Sequence, residues 1–428
     1  MLDDRMIRLR FLTILCFILC ITTIENTIVQ FEQNNNGDIQ AKPICNNNFD
    51  TYCTHHDDII PTQYSTTTTS HILMNNLYRR TQITKRLLIV MVYSPGRERE
   101  DNLNFFLRQG LIGIMNDGIH NTIYHHYVFI INGVLDPTSP MTQLLLYLNH
   151  TYKYIEVHQR SNYGNDLCAW KLVLNSTLPD FSLRYSINYF THVFLMNDSL
   201  RGPFIPSWLS NYQDPTIQST IGSTSSSNTR IVWTNLFLQV MNSPTIPNIR
   251  LVGTTINCLL HFVDDYVNSY IHIQSMLLLF QNQDIPLIEK TLTCDIDKLF
   301  SYRNEVELTK QILHGGGNLG VMQNYWRNHD FLNTSHTLEL CYQLYKNNNS
   351  DTYNPNYYGD INIHPHEVIF FKTNRNITPE IVNQHSKWQL RTLPWSLPCE
   401  VYGKFGYNIR DCIFARGSSS SSTNTLPG

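Results

Sequence analysis

From Lys85 onward the chain alternates between apolar runs of strand length and stretches of helical spacing. Lys85–Ser94 (KRLLIVMVYS) is a continuous apolar run, as strands buried on both faces are. Asp101–Met115 follows with Leu103, Phe106, Leu107 and Leu111 on one helical face and Asp101 as a candidate N-cap. Tyr127–Ile131, Tyr152–Val157 and His192–Met196 read as further strands, and Met141–Leu148 and Leu167–Leu174 as the helices between them. Strands alternating with helices predict an open α/β sheet with right-handed crossovers. In such sheets ligands bind beyond the carboxyl ends of the strands.

The flanks have a different character. Arg5, Arg8 and Arg10 precede the apolar run Phe11–Ile24, and no small-x-small cleavage site follows it. Arginines on that side predict a cytosolic N-terminus and a lumenal body. The expected organisation is a cytosolic tail (1–10), a signal-anchor (11–29), a low-complexity stem (30–84), a catalytic body (85–395) and an extension ending in a Ser-rich disordered tail (396–428). That describes a single-pass type II protein of the secretory pathway, with the Golgi membrane as its expected location. The six N-x-S/T sequons at Asn149, Asn175, Asn197, Asn333, Asn348 and Asn376 agree with a lumenal setting. Of ten cysteines, eight lie outside the apolar run and none forms a CxxC pair, which favours disulfides over zinc. Cys45 with Cys53 and Cys399 with Cys412 are the local pairings on offer. Charged residues are only 15% of the chain and the net charge is -3, so there is no basic face for nucleic acid.

Two strand ends carry candidate chemistry. The third strand runs into Arg160-Ser-Asn162-Tyr-Gly164-Asn-Asp166. Arg can fork onto a phosphate and Gly lets backbone approach closely; a turn with Asp166 as N-cap is the alternative. The fourth strand ends in Asn197-Asp198-Ser199, followed by Leu-Arg201. A carboxylate there can meet a cation bridged to a diphosphate, and an Asx-turn leaving the sheet is the alternative. A glycan on Asn197 would sit on this site, so that sequon is expected to be unused.

RSNYGNDLCAWKLVL followed by HVFLMNDSLRGPF resembles the rhamnan-synthesis-F-like glycosyltransferases and their eukaryotic relatives. Leu251–Cys258, Ile271–Leu277, Glu305–Leu313 and the block from His364 to Arg375 resemble later segments of that family, in order. The resemblance implies a GT-A-like (Rossmann-like) open mixed sheet with helices on both faces. It implies transfer of a hexosyl or deoxyhexosyl group from a nucleotide-sugar donor to a glycan or glycoprotein acceptor. It assigns Arg160, Asn162, Gly164 and Asp166 to the donor, and Asp198, with Asn197 and Ser199, to the diphosphate or its metal. A full D-x-D is absent, so a manganese or magnesium ion on Asp198 is in doubt, and Arg201 and Lys372 stand as alternative partners of the leaving diphosphate.

An inverting transfer also needs a general base near the acceptor hydroxyl. Glu305 is the candidate by motif, with Glu307 nearby; both are otherwise solvated helix carboxylates. His272 and Gln274 are expected to alternate on a strand and share one face toward the acceptor. Gly315-Gly316-Gly317 reads as a mobile loop or a helix stop. Two other functions compete with transfer: an inactive glycan-binding relative, and a glycosidase, for which no acidic pair stands out at consecutive strand ends.

Overall fold

A computed structural model describes residues 31–33, 39–41 and 83–412, apart from 121, 176–182, 207–208, 210–231, 264–265, 295–297, 347–350, 358–360 and 376. The expected signal-anchor, Cys45, Cys53 and the Ser-rich tail lie outside the described residues. Within the expected stem, β1 (Phe31–Gln33) and β2 (Ile39–Ala41) form an antiparallel hairpin in a unit of its own, residues 1–69. Among the described residues no helix is long and apolar enough to cross a membrane.

The second unit is a mixed α/β body around one eight-stranded sheet. Its strands are β3 (Lys85–Tyr93), β4 (Ile119–His120), β5 (Ile123–Asn132), β6 (Ile155–Arg160), β7 (His192–Asn197), β9 (Ile249–Gly253), β12 (Leu277–Gln281) and β13 (Asn318–Val321). The order is β13-β9-β12-β7-β3-β5, with β4 and β6 both paired to β5. β12 is antiparallel to β7 and β9, and β3 is parallel to β5 and β7. Leaving aside the two-residue β4, the chain order across the sheet is 3-2-1-4-6-5-7. The order reverses between β3 and β7, and the rule for such sheets puts the ligand crevice beyond the strand ends there. The expected open sheet flanked by helices is the one observed.

The central strand has no polar position to spare: Leu87, Leu88, Ile89, Val90 and Val92 are fully buried, as a parallel strand covered on both faces requires. β5 is longer at its start than its apolar run, because buried His125 and His126 find partners in Thr234 and Glu156. Helix α1 (Arg97–Gln109) begins four residues before the expected Asp101. The run Arg97–Glu100 carries no apolar periodicity, yet Glu98 and Glu100 complement the helix dipole in its first turn. β6 starts at Ile155 and not at Tyr152, whose N–H instead closes helix α2 (Pro140–Thr151) on Leu148.

Two of the segments that carry the resemblance each divide between two strands. Leu251–Cys258 splits at Thr254–Thr255 between β9 and β10 (Ile256–Val263), and Ile271–Leu277 splits between β11 (Tyr266–Ile273) and β12. Gln274 therefore lies in the connection and does not alternate with His272 on one strand. β10 and β11 form a separate antiparallel ribbon, tied by Cys258–Cys341 to helix α7 (Thr334–Lys346). Helix α6 (Lys298–His314) ends in a left-handed cap: Gly316 has φ 70°, with Gly316 N–H on Leu313 O and Gly317 N–H on Ile312 O. The glycine triplet is a helix stop.

A short ribbon of β8 (Leu200–Arg201) and β14 (Phe371–Lys372) lies directly beyond β7. The chain then runs through helix α9 (Pro379–Thr392) to α10 (Cys399–Lys404), held by the Cys399–Cys412 disulfide that sequence spacing offers. Residues of the C-terminal extension pack on α1: Tyr402 is fully buried and donates to Leu107 O at 2.7 Å, and the Arg108 guanidinium lies over the Trp395 ring.

Phe106 of α1 joins these layers, touching Tyr127 and Phe129 of β5, Trp233 and Phe370. Phe106→Ala should lower unfolding free energy by about 3–5 kcal/mol, the range for emptying a large buried aromatic site. A urea unfolding midpoint unchanged from wild type would show that Phe106 does not join them.

Candidate functional site

The switch point between β3 and β7 is closed by a single carboxylate. Asp198 follows the last residue of β7, and its Oδ2 accepts the backbone N–H of Ser94, just past β3, at 2.5 Å. Its Oδ1 lies 3.7 Å from Nε of Arg99 on α1. Asp198 is only 4% exposed. The carboxylate is enclosed at the strand end and not open to solvent, with a fixed N–H dipole and a cation to offset its burial. The Asx-turn falls on the neighbouring residue. Asn197 Oδ1 accepts Ser199 N–H at 3.2 Å and Ser199 Oγ–H at 2.6 Å, and Asn197 also hydrogen-bonds Asp166. That engagement leaves the Asn197 amide badly placed to carry a glycan.

Asp166 lies in the first turn of α3 (Asn165–Leu174), half-buried and close enough to Asp198 for each charge to disfavour the other. It is not the N-cap; that position is Gly164, in the left-handed region at φ 66°. A Cβ on Gly164 would come within 2.7 Å of Cys168 Cβ and 2.9 Å of Cys294 O. The glycine is thus required by the Cys168–Cys294 disulfide, which ties α3 to the end of the segment after α5 (Ile285–Thr291). Arg160 organises the same loop. It donates to Asn132 Oδ1 at 2.8 Å, to Asn165 O at 3.3 Å and to Tyr163 O, while Asn162 and Tyr163 are exposed.

Burial pushes the Asp166 carboxyl up to about 7, with Asp198 adding to the rise and Arg99 and Asn197 opposing it. Burial likewise lifts Asp198 to about 6, against the Ser94 N–H and Arg99. Glu305 of α6 also raises Asp166, which brings the base candidate to the same crevice. Glu305 is held by Ser275, whose Oγ–H donates to Oε1, and by His272 Nε2 at 3.8 Å from Oε2. Glu305 is 26% exposed. Glu307 is the solvated one, 44% exposed and bonded to Gln311 and Lys310 of its own helix.

Lys372 comes in from β14. Burial lowers its pKa, Glu305 and Asp351 raise it, and Arg375 lowers it further. Gln274 is buried between Thr255 Oγ1, which donates to it at 2.6 Å, and Asp351 Oδ1, to which it donates at 3.3 Å. Arg201 is drawn to one side: its guanidinium donates to Asn102 Oδ1 at 2.8 Å and Asn383 Oδ1 at 2.7 Å. Asn102 in turn donates to Asp198 O at 2.9 Å, so Arg201 reaches the site through a neighbour.

The crevice therefore gathers Asp166, Asn197, Asp198, His272, Glu305 and Lys372, with Gln274 joined to it through Asp351. Sequence reasoning missed Ser94, Arg99, Asn102, Ser275, Asp351 and Arg375. Arg375 stood unassigned at the end of a recognised block; Arg99 precedes the expected helix in a run without apolar periodicity, and Asp351 follows a run of asparagines. Among the described residues no group of three or more His, Cys, Asp or Glu is arranged to hold a metal ion. Asp198 already accepts an N–H on one oxygen and faces a cation with the other, so the residues present do not form a metal cage.

No family model and no curated protein matches the chain. Three solved structures are similar at low identity. A 4-diphosphocytidyl-2C-methyl-D-erythritol synthase from Anaerococcus prevotii DSM 20548 is 11% identical, with a TM-score of 0.28, over 57% of this chain and 88% of that one. Mouse xyloside xylosyltransferase 1 is 8% identical, with a TM-score of 0.25, over 59% and 92%. The glycosyltransferase GlyE of Streptococcus pneumoniae TIGR4 is 7% identical, with a TM-score of 0.25, over 75% and 63%. Likeness at this level carries no argument about chemistry, which rests on the site itself.

Both carboxyls have folded pKa values above the ordinary aspartate value near 4. Between about pH 4 and 7 the folded chain therefore binds more protons than the unfolded one, and stability falls as pH rises. Asp166→Asn should flatten the decline in melting temperature between pH 5 and 8 and leave the variant more stable than wild type at pH 8. An undiminished slope in that variant would rule out the crowding of charge described here.

Proposed function

We propose that the protein is a glycosyltransferase that uses a nucleotide-sugar donor in the crevice between β3 and β7. One observation carries the reading: carboxylates and cations from four distant segments converge at the switch point of a nucleotide-binding type of sheet. The loop from Arg160 to Asp166 borders the donor side, with Asn162 and Tyr163 exposed at its surface and Gly164 buried against the disulfide. The Asn197-Asp198-Ser199 corner lies where the sugar leaves its diphosphate.

Glu305 is the base that takes the proton of an acceptor hydroxyl. Ser275 fixes one of its oxygens and His272 flanks the other, so the carboxylate is oriented while remaining partly open to an incoming group. As the new bond to the sugar forms, the bond to the diphosphate breaks and its electron pair stays on the phosphate oxygen. The charge growing there is met by Lys372 beside the ribbon, with Arg99 next to Asp198. Both Asp198 oxygens are already engaged, by the Ser94 N–H and by Arg99, so no step is routed through manganese or magnesium. The cations favour an anionic donor over the neutral glycan of a glycosidase, and the oriented Glu305 favours catalysis over glycan binding alone.

The sugar moved is a hexose or deoxyhexose, and the acceptor a glycan or glycoprotein. The disulfides Cys168–Cys294, Cys258–Cys341 and Cys399–Cys412 support an oxidising compartment, in line with a type II anchor and a lumenal body in the Golgi. Glycosidase treatment of the expressed chain tests this placement: removal of N-glycans should shift its mass, and an unshifted chain would count against the lumen.

Screening the purified protein against a panel of nucleotide-sugars, with and without manganese, tests the activity. In the active pairing Glu305→Gln should lower turnover about 10²–10⁴-fold, the usual worth of a general base, with nucleotide affinity retained. Asp198→Asn keeps an oxygen for the Ser94 N–H, so it should fold with an unchanged or raised melting temperature while turnover falls about 10²–10³-fold. A fully active Asp198→Asn enzyme would sink the assignment of Asp198.

A further inference from the structure

The segment after β13 carries a pair of cations whose arrangement goes beyond the assignments above. Lys372 and Arg375 are close enough that each charge disfavours the other, and in isolation that is a cost. Something holds them together. Asp351 does so from a separate stretch of chain: its Oδ2 lies 3.3 Å from Arg375 Nη2, and it also favours the charged form of Lys372. Asp351 is itself fixed, for its Oδ1 accepts from Gln274 at 3.3 Å and from Tyr353 N–H at 3.0 Å. The Lys372 backbone is fixed too, paired with Leu200 across the ribbon and donating its N–H to the Tyr353 hydroxyl at 3.2 Å.

Arg375 is thus anchored at one corner. One of its five N–H donors goes to Asp351, and the side chain remains 49% exposed. Lys372 is nearer the crevice, beside Glu305, and its position on β14 sets it opposite the residues that follow Asp198. A buried ammonium and a half-open guanidinium side by side form a place for a doubly charged, multi-oxygen anion, which an isolated cation does not offer.

We infer that Lys372 and Arg375 form a clamp for the terminal phosphate of a nucleoside diphosphate, with Asp351 as the positioning residue that sets the Arg375 fork. The inference rests on the donor class proposed above and specifies which groups recognise it. Arg375 contacts the ligand; Asp351 acts through Arg375 and by favouring the charge of Lys372. The clamp discriminates a nucleoside diphosphate from its monophosphate, since the monophosphate lacks the group the pair receives.

The test is calorimetric titration of the full chain with UDP, GDP and dTDP, and with the monophosphate of whichever binds, in the presence of EDTA. Wild type should prefer the diphosphate, and Arg375→Ala should lower diphosphate affinity about 10–100-fold while leaving the monophosphate within about twofold. Arg375→Lys keeps the charge and loses the fork, and should recover only part of the preference. Asp351→Asn should weaken the preference in the same direction with monophosphate binding intact, which a merely structural defect would not do. Circular dichroism melts identify any variant that fails to fold, and Arg375→Lys, which keeps the cation, then carries the test. A diphosphate preference that survives in folded Arg375→Ala and Arg375→Lys overturns the clamp, as does a wild-type preference abolished by EDTA. Failure of every nucleotide to bind wild type, with or without manganese, defeats the donor reading itself.

Discussion

The hydrogen bond from Ser94 N–H to the Asp198 carboxylate is the contact on which the rest of the site depends. It joins the ends of β3 and β7, the two strands between which the sheet reverses its order. A buried carboxylate without partners would cost several kcal/mol or give up its charge. Here a backbone dipole and Arg99 oppose that cost, while burial still raises the carboxyl to about 6. The same residue organises its surroundings through its backbone. Asn102 spans Asp198 O and Thr373 Oγ1, and also receives Arg201, so α1, the end of β7 and the β8–β14 ribbon meet on one amide.

Around that point the crevice is assembled from pieces that only the fold brings together. The Arg160–Asp166 loop is shaped from within by the Arg160 fork and from behind by the Cys168–Cys294 disulfide, against which only a glycine fits at position 164. In the chain-entropy account a cross-link closing a loop of 126 residues removes about 5 kcal/mol of unfolded-state freedom. Its local effect concerns function more: it fixes the start of α3, and with it Asp166, relative to Asp198.

The parts of this architecture written in local pattern were legible. β3, β5 and β7 are apolar runs because they are buried on both faces, and the strand ends did hold the Asn197–Asp198 corner. The limits were physical. The start of α1 is polar on every side, so periodicity could not reveal Arg97–Glu100 as helix, and Arg99 was lost with it. Gln274–Met276 interrupts an apolar stretch by turning the backbone without the Gly or Pro that marks a turn in sequence, whereas Gly253 directly precedes the break at Thr254–Thr255. Arg160 looked like an open fork because sequence shows which donors a side chain has and not where they are spent. Asp351 gains its meaning only from Gln274 and Arg375, which lie far from it or follow it in the chain.

The order of the chain adds a consequence. Asp166 and Asp198 belong to the first half of the body, whereas Lys372 and Arg375 arrive after the last sheet strand has been made. Thr373 bonds to Ser199 O across a separation of 174 residues, one of the longest-range pairings in the site. Arg99 of the first half lies beside Asp198, and the further cations Lys372 and Arg375 come only with the later segment. The C-terminal segment stabilises what the first half leaves strained, since Lys372 sits beside Glu305 and the Thr373 contacts tie β14 onto the Asp198 corner. A long-range contact is slow to form because loop closure must precede its reward. A chain lacking this segment would hold Asp166 and Asp198 without Lys372 and Arg375.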